Sequence, residues 1–182
     1  IDHFALTAIP LFILTGDVLV RTGLSRKFLD IAEALTNWAR GGFGSATVLV
    51  CGMFAAISGS DAAGAAAVGR MTISRLVESG YPRPYACALV AAGACTGILI
   101  PPSIAYIVIG LVLGISSSTL FLAALIPGTA VLLSILITNI VMNRIYGWEG
   151  GGNISFQAWS QQLWVSLKSG WYAFIVPGII FY

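Results

Sequence analysis

Long apolar stretches separated by short charged segments run along most of the chain. The stretches at 4–20, 85–113 and 119–142 approach or exceed the length of about 20 apolar residues that a membrane-spanning helix needs. Two other segments, 21–40 and 156–169, mix charged residues with apolar ones at helical spacing. That spacing is typical of amphipathic helices lying at a membrane surface. The pattern therefore predicts an all-α integral membrane protein.

Two of the apolar stretches are interrupted near their centres. The run at 41–69 is broken by Ser58-Gly59-Ser60-Asp61, and the stretch at 85–113 is broken by Pro101-Pro102. Irregular backbone at membrane depth normally faces protein or a hydrated cavity, because hydrocarbon offers no partner for peptide groups. Interrupted helices of this kind hold ions and anions in secondary transporters. Two interruptions in neighbouring stretches therefore predict a binding site.

The distribution of basic residues indicates the path of the first interrupted run. If the run at 41–69 turns back at its interruption, segments 21–40, 70–83 and 144–168 share one side of the membrane with all nine Lys and Arg residues. The neutral link at 114–118 then lies on the other side. If the run crosses instead, three arginines are stranded outside. Because basic residues concentrate on the cytoplasmic side, we expect a re-entrant hairpin over 41–80, with 114–118 periplasmic.

Composition supports the membrane assignment and excludes other classes. The chain is 58% hydrophobic and only 9% charged, whereas a soluble domain carries about 25% charged residues. The net charge of +2 gives no indication of a nucleic-acid partner. The three cysteines lie in apolar stretches at spacings that fit no metal motif, so we interpret them as packing residues. Both ends fall within apolar segments, and we expect the chain to be part of a larger protein.

The two interruptions offer complementary chemistry. Ser60 or Asp61 is suited to cap the second arm of the hairpin, and the free amides at that helix start attract carboxylates. The first arm ends in carbonyls without helical partners, and the proline pair frees further carbonyls over 97–102. We therefore predict a cation site built from backbone oxygens. Asp61 is either a functional acid at membrane depth or only a helix-capping residue.

Several motifs resemble, in order and spacing, the large membrane subunit of the tripartite ATP-independent periplasmic (TRAP) transporters. The similar segments are AIPLFIL at 8–14, FAAISGS at 54–60, SGY at 79–81, GILIPPSI at 97–104 and LIPG at 125–128. The resemblance covers the first of the two inverted repeats of that family. Residues 171–182 resemble the truncated start of the second repeat.

This resemblance implies an elevator-type transporter of the bacterial inner membrane that imports an organic acid, such as a C4-dicarboxylate or a sialic acid, driven by a sodium gradient. A periplasmic substrate-binding protein would deliver the substrate, and a small membrane subunit would brace the complex. The resemblance also implies a transport domain over 41–80 and 81–115. Scaffold helices would lie in 1–40 and 116–155, with amphipathic arms at the end of the former and over 156–170.

The resemblance further implies which residues form the site. One sodium ion would be held by backbone carbonyls, those of Ser58, Ser60, Gly97, Ile100 and Pro102. The candidates for the substrate pocket lie at the same two interruptions and are Gly59, Ser60, Asp61 and Ser103.

Three alternatives remain open from the sequence. A sodium–carboxylate symporter that works without a binding protein fits the same site. A passive channel is disfavoured because the polar residues concentrate at two breaks rather than along a pore. An intramembrane serine hydrolase would need a base beside Ser58 or Ser60, and the one histidine, His3, is expected on the opposite side of the membrane.

Overall fold

The computed structural model describes residues 24–36, 41–101 and 103–149, together with positions 10, 14 and 18. Those three ranges contain helices and turns and no strand, which agrees with the predicted all-α class. The helices are α1 (Leu24–Thr36), α2 (Gly42–Ser58), α3 (Asp61–Glu78), α4 (Arg83–Leu99), α5 (Ile104–Leu113) and α6 (Ser117–Tyr146). Most of the predicted first span and all of segments 156–170 and 171–182 lie outside the described residues.

The interruption at 58–61 is a tight turn between two packed helices. Gly59 ends α2 in the left-handed conformation, with φ at 63°, and its amide donates to the Ala55 carbonyl at 2.7 Å. Ser60 is extended, and its Oγ accepts a hydrogen bond from the Ala63 amide at 3.4 Å. Ser60 is therefore the cap of α3, while Asp61 occupies the first turn. The hairpin is present in the fold, and its depth in a membrane stays a prediction.

The interruption at 101–102 likewise separates two helices. α4 ends at Leu99, Ile100 is extended, and α5 begins at Ile104. By length and composition, the stretches 83–113 and 117–146 could each cross a membrane. Their separation by the turn at Gly114 matches the predicted uncharged link.

Helix α4 packs against both arms of the hairpin and completes the core. The buried side chains between these three helices are mostly small or β-branched, which allows close helix approach. They include Val50, Cys51, Phe54, Ala67, Val68, Leu76, Ala86, Val90 and Ala94.

Helix α1 is amphipathic as predicted, but protein covers its apolar face. Phe28 and Ile31 are 1% and 2% exposed, and the helix packs on α2. Leu35, two turns after Phe28 and on the same face by helical spacing, is 42% exposed. Arg75 of α3 forms an ion pair with Glu33 of α1 at 2.8 Å, and its guanidinium lies 4.2 Å from the ring centre of Phe43. This helix therefore rests on the base of the hairpin.

Helix α6 packs against α2, α4 and α5 rather than standing apart from them. A Cβ atom at Gly128 would lie 2.7 Å from the Leu99 carbonyl oxygen, so the backbones are in close contact there. Further along, the Asn139 amide donates to the Gly41 carbonyl at 3.2 Å and to the Ser45 hydroxyl at 3.1 Å. This packing gives no reason to separate 116–146 from the hairpin as a scaffold.

A carboxylate just beyond α6 joins three elements. Glu149 accepts hydrogen bonds from the Phe43 amide at 2.9 Å and from the Tyr81 hydroxyl at 3.0 Å. Asn143 holds the main chain of Glu149 through two bonds of 2.6 and 2.8 Å. A carboxylate at a helix start is favourable because the first amides of α2 lack helical partners. Burial, together with the neighbouring carboxylate, raises the pKa of Tyr81 above its usual range.

Replacing Glu149 by Gln should destabilise the protein. The substitution keeps the shape but removes the charge, and hydrogen bonds to charged groups contribute about 1.5–3 kcal/mol each. We expect the free energy of unfolding of the full-length transporter in detergent to fall by about 1–2 kcal/mol. The measurement is a thermal unfolding curve. Glu78→Gln, at an exposed position in the last turn of α3, is the control. Equal unfolding temperatures for both variants would contradict this role of Glu149.

Candidate functional site

The hairpin turn and the helix break lie against each other. A Cβ atom at Gly97 would overlap the Ala55 side chain and lie 2.7 Å from the Ala55 carbonyl carbon, so α2 and α4 touch through their backbones. A Cβ atom at Gly59 would lie 2.8 Å from Cγ1 of Ile104 and 3.3 Å from its amide nitrogen. The two interruptions, separated by about forty residues in sequence, therefore converge as the sequence predicted.

The helix break leaves specific carbonyls without amide partners. In an α-helix the carbonyl of residue i accepts from the amide of residue i+4. The partners of Gly97 and Ile98 would be residues 101 and 102, which are both proline and carry no N–H. The Ile100 amide still donates to the Thr96 carbonyl at 2.9 Å. The Gly97 carbonyl therefore has no helical donor, and its predicted role as a cation ligand stays a prediction. The Ile98 carbonyl was missed, although the proline pair marks it equally.

The oxygens of the hairpin turn differ in how many hydrogen bonds they already make. Ser58 is 3% exposed, and its hydroxyl lies 3.4 Å from the Ala55 carbonyl and 3.3 Å from the Ser60 carbonyl. The Ser60 carbonyl also accepts from the Gly64 amide at 3.1 Å, as a capping residue's carbonyl normally does. A cation would therefore have to share the Ser60 carbonyl with two donors.

Two buried side-chain oxygens in the described part of the chain have no hydrogen-bond partner there. They are Oδ1 of Asp61 and Oγ of Ser103, one at each interruption. Leaving such an atom unpaired costs about 1–3 kcal/mol, so each calls for a physical explanation. Together with the free carbonyls they form a set of hard oxygen donors, the kind of set that holds sodium in broken-helix sites. The residues present thus fit a small cation.

The remaining predicted residues fall as follows. Ile100 is extended and lies in the break, directly after α4. Ser103 is fully buried and precedes α5. Gly59, Ser60 and Asp61 form the turn and the first residue of α3. Pro102 and His3 lie outside the described residues, so their predicted roles stay predictions. Among the described residues, no group of three or more His, Cys, Asp or Glu side chains could hold a metal ion.

Two interrupted helices that face each other in an apolar chain are typical of membrane transport proteins, and the comparisons with known proteins specify which class. The whole chain, residues 1–182, matches the family described as "Tripartite ATP-independent periplasmic transporter, DctM component". The chain belongs to this family, as the motifs in its sequence indicated.

Individual relatives support the same assignment. The chain is 36% identical over 158 residues to the C4-dicarboxylate TRAP transporter large permease protein DctM of Pseudomonas aeruginosa, which covers 87% of this chain and 37% of that protein. It is 34% identical over 182 residues to the 2,3-diketo-L-gulonate TRAP transporter large permease protein of Escherichia coli, covering 98% of this chain and 41% of that protein. It is 38% identical over 150 residues to the isethionate TRAP transporter permease protein DctMQ of Oleidesulfovibrio alaskensis, covering 82% and 24%. The chain thus spans less than half the length of these curated relatives.

The contact between Gly97 and Ala55 should be sensitive to a single methyl group. Gly97→Ala is expected to push α4 away from α2, because overpacking a close contact typically costs about 1–3 kcal/mol. In the full-length transporter this should appear as a lower thermal unfolding temperature.

The matched control for this substitution removes the opposing methyl group. Ala55→Gly combined with Gly97→Ala should recover part of the lost stability, although a glycine within a helix itself costs about 0.5–1 kcal/mol. If Gly97→Ala unfolds at the same temperature as the native protein, the two helices are not in backbone contact at this point.

Proposed function

We propose that this chain is part of a sodium-coupled importer of an organic acid in the bacterial inner membrane. The observation that carries the proposal is the convergence of the hairpin turn with the proline-interrupted helix in a chain of the TRAP transporter family. A periplasmic substrate-binding protein would deliver the organic acid, and a small membrane subunit would complete the transporter. The name DctMQ of one relative supports a close association between the two membrane subunits.

The names of the relatives support an anionic substrate. Those names refer to C4-dicarboxylates, 2,3-diketo-L-gulonate, isethionate and sialic acid. Each carries a carboxylate or a sulfonate, so the shared chemistry is an organic anion. The N-terminus of α3 offers unpaired amides and a partial positive charge that suit such a group. Gly59, Ser60, Asp61 and Ser103 are the residues of this chain that we place beside it.

Sodium would bind between the hairpin turn and the helix break. We assign it the carbonyls of Ser58, Ser60, Gly97, Ile100 and Pro102, and we add Ile98 on the basis of the proline pair. Gly97 and Ile98 are supported by the loss of their amide partners, whereas Ser60 is the weaker candidate because it already accepts two hydrogen bonds. A cation at this position would tie the turn to the break and thereby complete the pocket.

The coupling would operate through an elevator movement. Helices α2 to α6 pack on one another, so we propose that residues 41–149 move as one body against the remainder of the transporter. Sodium and substrate can shift such an equilibrium only by binding its two states unequally. Helix α1 would connect this body to its surroundings. It would move with the base of the hairpin, because the ion pair between Glu33 of α1 and Arg75 of α3 joins the two.

Uptake by the complete transporter tests the proposal directly. The full-length protein, its small subunit and its binding protein are reconstituted in vesicles and offered labelled C4-dicarboxylate, 2,3-diketo-L-gulonate, sialic acid and isethionate. We expect accumulation of at least one anion that requires both an inward sodium gradient and the binding protein. Uptake without the binding protein would favour the simpler symporter, and ion current without a sodium gradient would favour a channel. Labelling of Ser58 or Ser60 by a serine-reactive phosphonate would favour the hydrolase.

Pro101 provides a sharper test of the cation site. In Pro101→Ala the new amide can donate to the Gly97 carbonyl, which occupies one proposed oxygen ligand. We expect the half-saturating sodium concentration for uptake to rise about threefold to tenfold, equivalent to about 0.7–1.4 kcal/mol. Pro84→Ala, in the first turn of α4 where a missing amide matters little, should leave it unchanged. Equal sodium dependence of both variants would argue against the Gly97 carbonyl as a ligand.

A further inference from the structure

The two unpartnered oxygens described above lie on opposite sides of the contact between the turn and the break. We propose that the carboxylate of Asp61 and the hydroxyl of Ser103 are direct ligands of the cation, so that the site carries one formal negative charge in addition to its carbonyls. The inference rests on the proposed sodium coupling and goes beyond it, because the residues implied by the family resemblance bind sodium through the backbone alone.

Capping of α3 does not explain the position of Asp61. Ser60 already caps that helix through the bond from the Ala63 amide, and Oδ1 of Asp61 accepts no hydrogen bond from within the described residues. The carboxyl group instead accepts a hydrogen bond from the main chain of Ile98, in the last turn of α4, and this leaves only Oδ1 without a partner. Asp61 therefore reaches across from the hairpin to the helix break, beside the carbonyls that the proline pair frees. A carboxylate oxygen buried without a partner is costly, and a bound cation removes that cost.

Ser103 likewise lacks the hydrogen bond that a helix-capping serine normally makes. It occupies the capping position of α5, where a serine hydroxyl normally accepts from an amide of the first turn. Here it makes no such bond, although the residue is 0% exposed. The next residue, Ile104, places its amide against Gly59 of the turn. The hydroxyl thus belongs to the same contact as Asp61, on the opposite chain segment.

The charge has a consequence for an anionic substrate. A cage of carbonyls alone is neutral and becomes positive when it binds sodium. With Asp61 among the ligands, the empty site repels an organic anion, and the repulsion is cancelled once one monovalent cation is bound. Interactions between unit charges at short range are strong where water is excluded. Asp61 would therefore strengthen cation binding and make anion binding depend on it.

Sodium binding without substrate tests the inference and does not require transport activity. Purified full-length transporter is unfolded thermally at increasing NaCl, with choline chloride holding ionic strength constant. A cation that binds only the folded state stabilises it by RT ln(1 + c/Kd) at sodium concentration c, so the rise of the unfolding temperature with sodium concentration gives the concentration at which the site is half saturated. We expect Asp61→Asn to raise the half-saturating sodium concentration about tenfold and Ser103→Ala about threefold, reflecting loss of a charged and of a neutral ligand. Because both would ligate one ion, the double variant should show less than the product of the two effects.

Matched variants control for charge and for loss of a hydroxyl elsewhere. Asp30→Asn removes an exposed acid from α1, and Ser116→Ala removes an exposed hydroxyl from the capping position of α6. Both should retain the native sodium dependence. If Asp61→Asn does not fold, Asp61→Glu replaces it, since a longer side chain displaces the carboxylate and should also weaken sodium binding.

The outcomes separate this inference from the proposed function. If the native protein is stabilised by sodium while the Asp61 and Ser103 variants respond within twofold of it, the inference is overturned and sodium coupling stands. If sodium neither stabilises the native protein nor drives uptake, the proposed function fails and the inference fails with it.

Discussion

The site depends on one constraint, which is that peptide groups removed from water must find partners. Most of the described chain meets it with helical hydrogen bonds. The proline pair prevents this for the carbonyls of Gly97 and Ile98, and the turn at Gly59 and Ser60 ends the helical pattern at the facing position. Oxygens without amide partners are thereby concentrated at the contact between two chain segments. The proposed cation site would follow from that concentration of oxygens.

The unpaired oxygens of the two segments would not lie together without the small residues that let those segments approach. Ala55 lies between Gly64 of α3 and Gly97 of α4, and a Cβ atom at either glycine would press on it. Larger side chains at these positions would hold the helices apart and let each interruption find separate partners. Gly64 and Gly97 are therefore what allows the two helices to approach Ala55 this closely.

The sequence predicted the local features of this arrangement and not its long-range bonds. The turn, the serine cap and the break follow from residues within a few positions of one another, so propensity and proline chemistry identify them. Glu149 binds the amide of Phe43 across 106 positions, and no local pattern marks that pairing. Helix α1 illustrates a second limit, since periodicity defines an apolar face without stating whether lipid or protein covers it. That the two interruptions approach each other was expected from their complementary chemistry rather than from any contact.

Helix α6 bears on where an elevator movement of the proposed kind could occur. It meets the hairpin through the Asn139 bonds near one end and the helix break through Gly128 nearer the other. Sliding α6 past the hairpin would separate backbones that are in contact. It would also break the buried hydrogen bonds of Asn139, at a cost of about 1–3 kcal/mol for each group left unpaired. The opposite face of α6 carries exposed apolar side chains, with Leu122 at 72% and Ile126 at 76% exposure, and forms no such bonds in the described structure. A smooth apolar surface offers little resistance to displacement, so the proposed elevator movement would place its boundary on that outer side of α6 rather than between α6 and the hairpin.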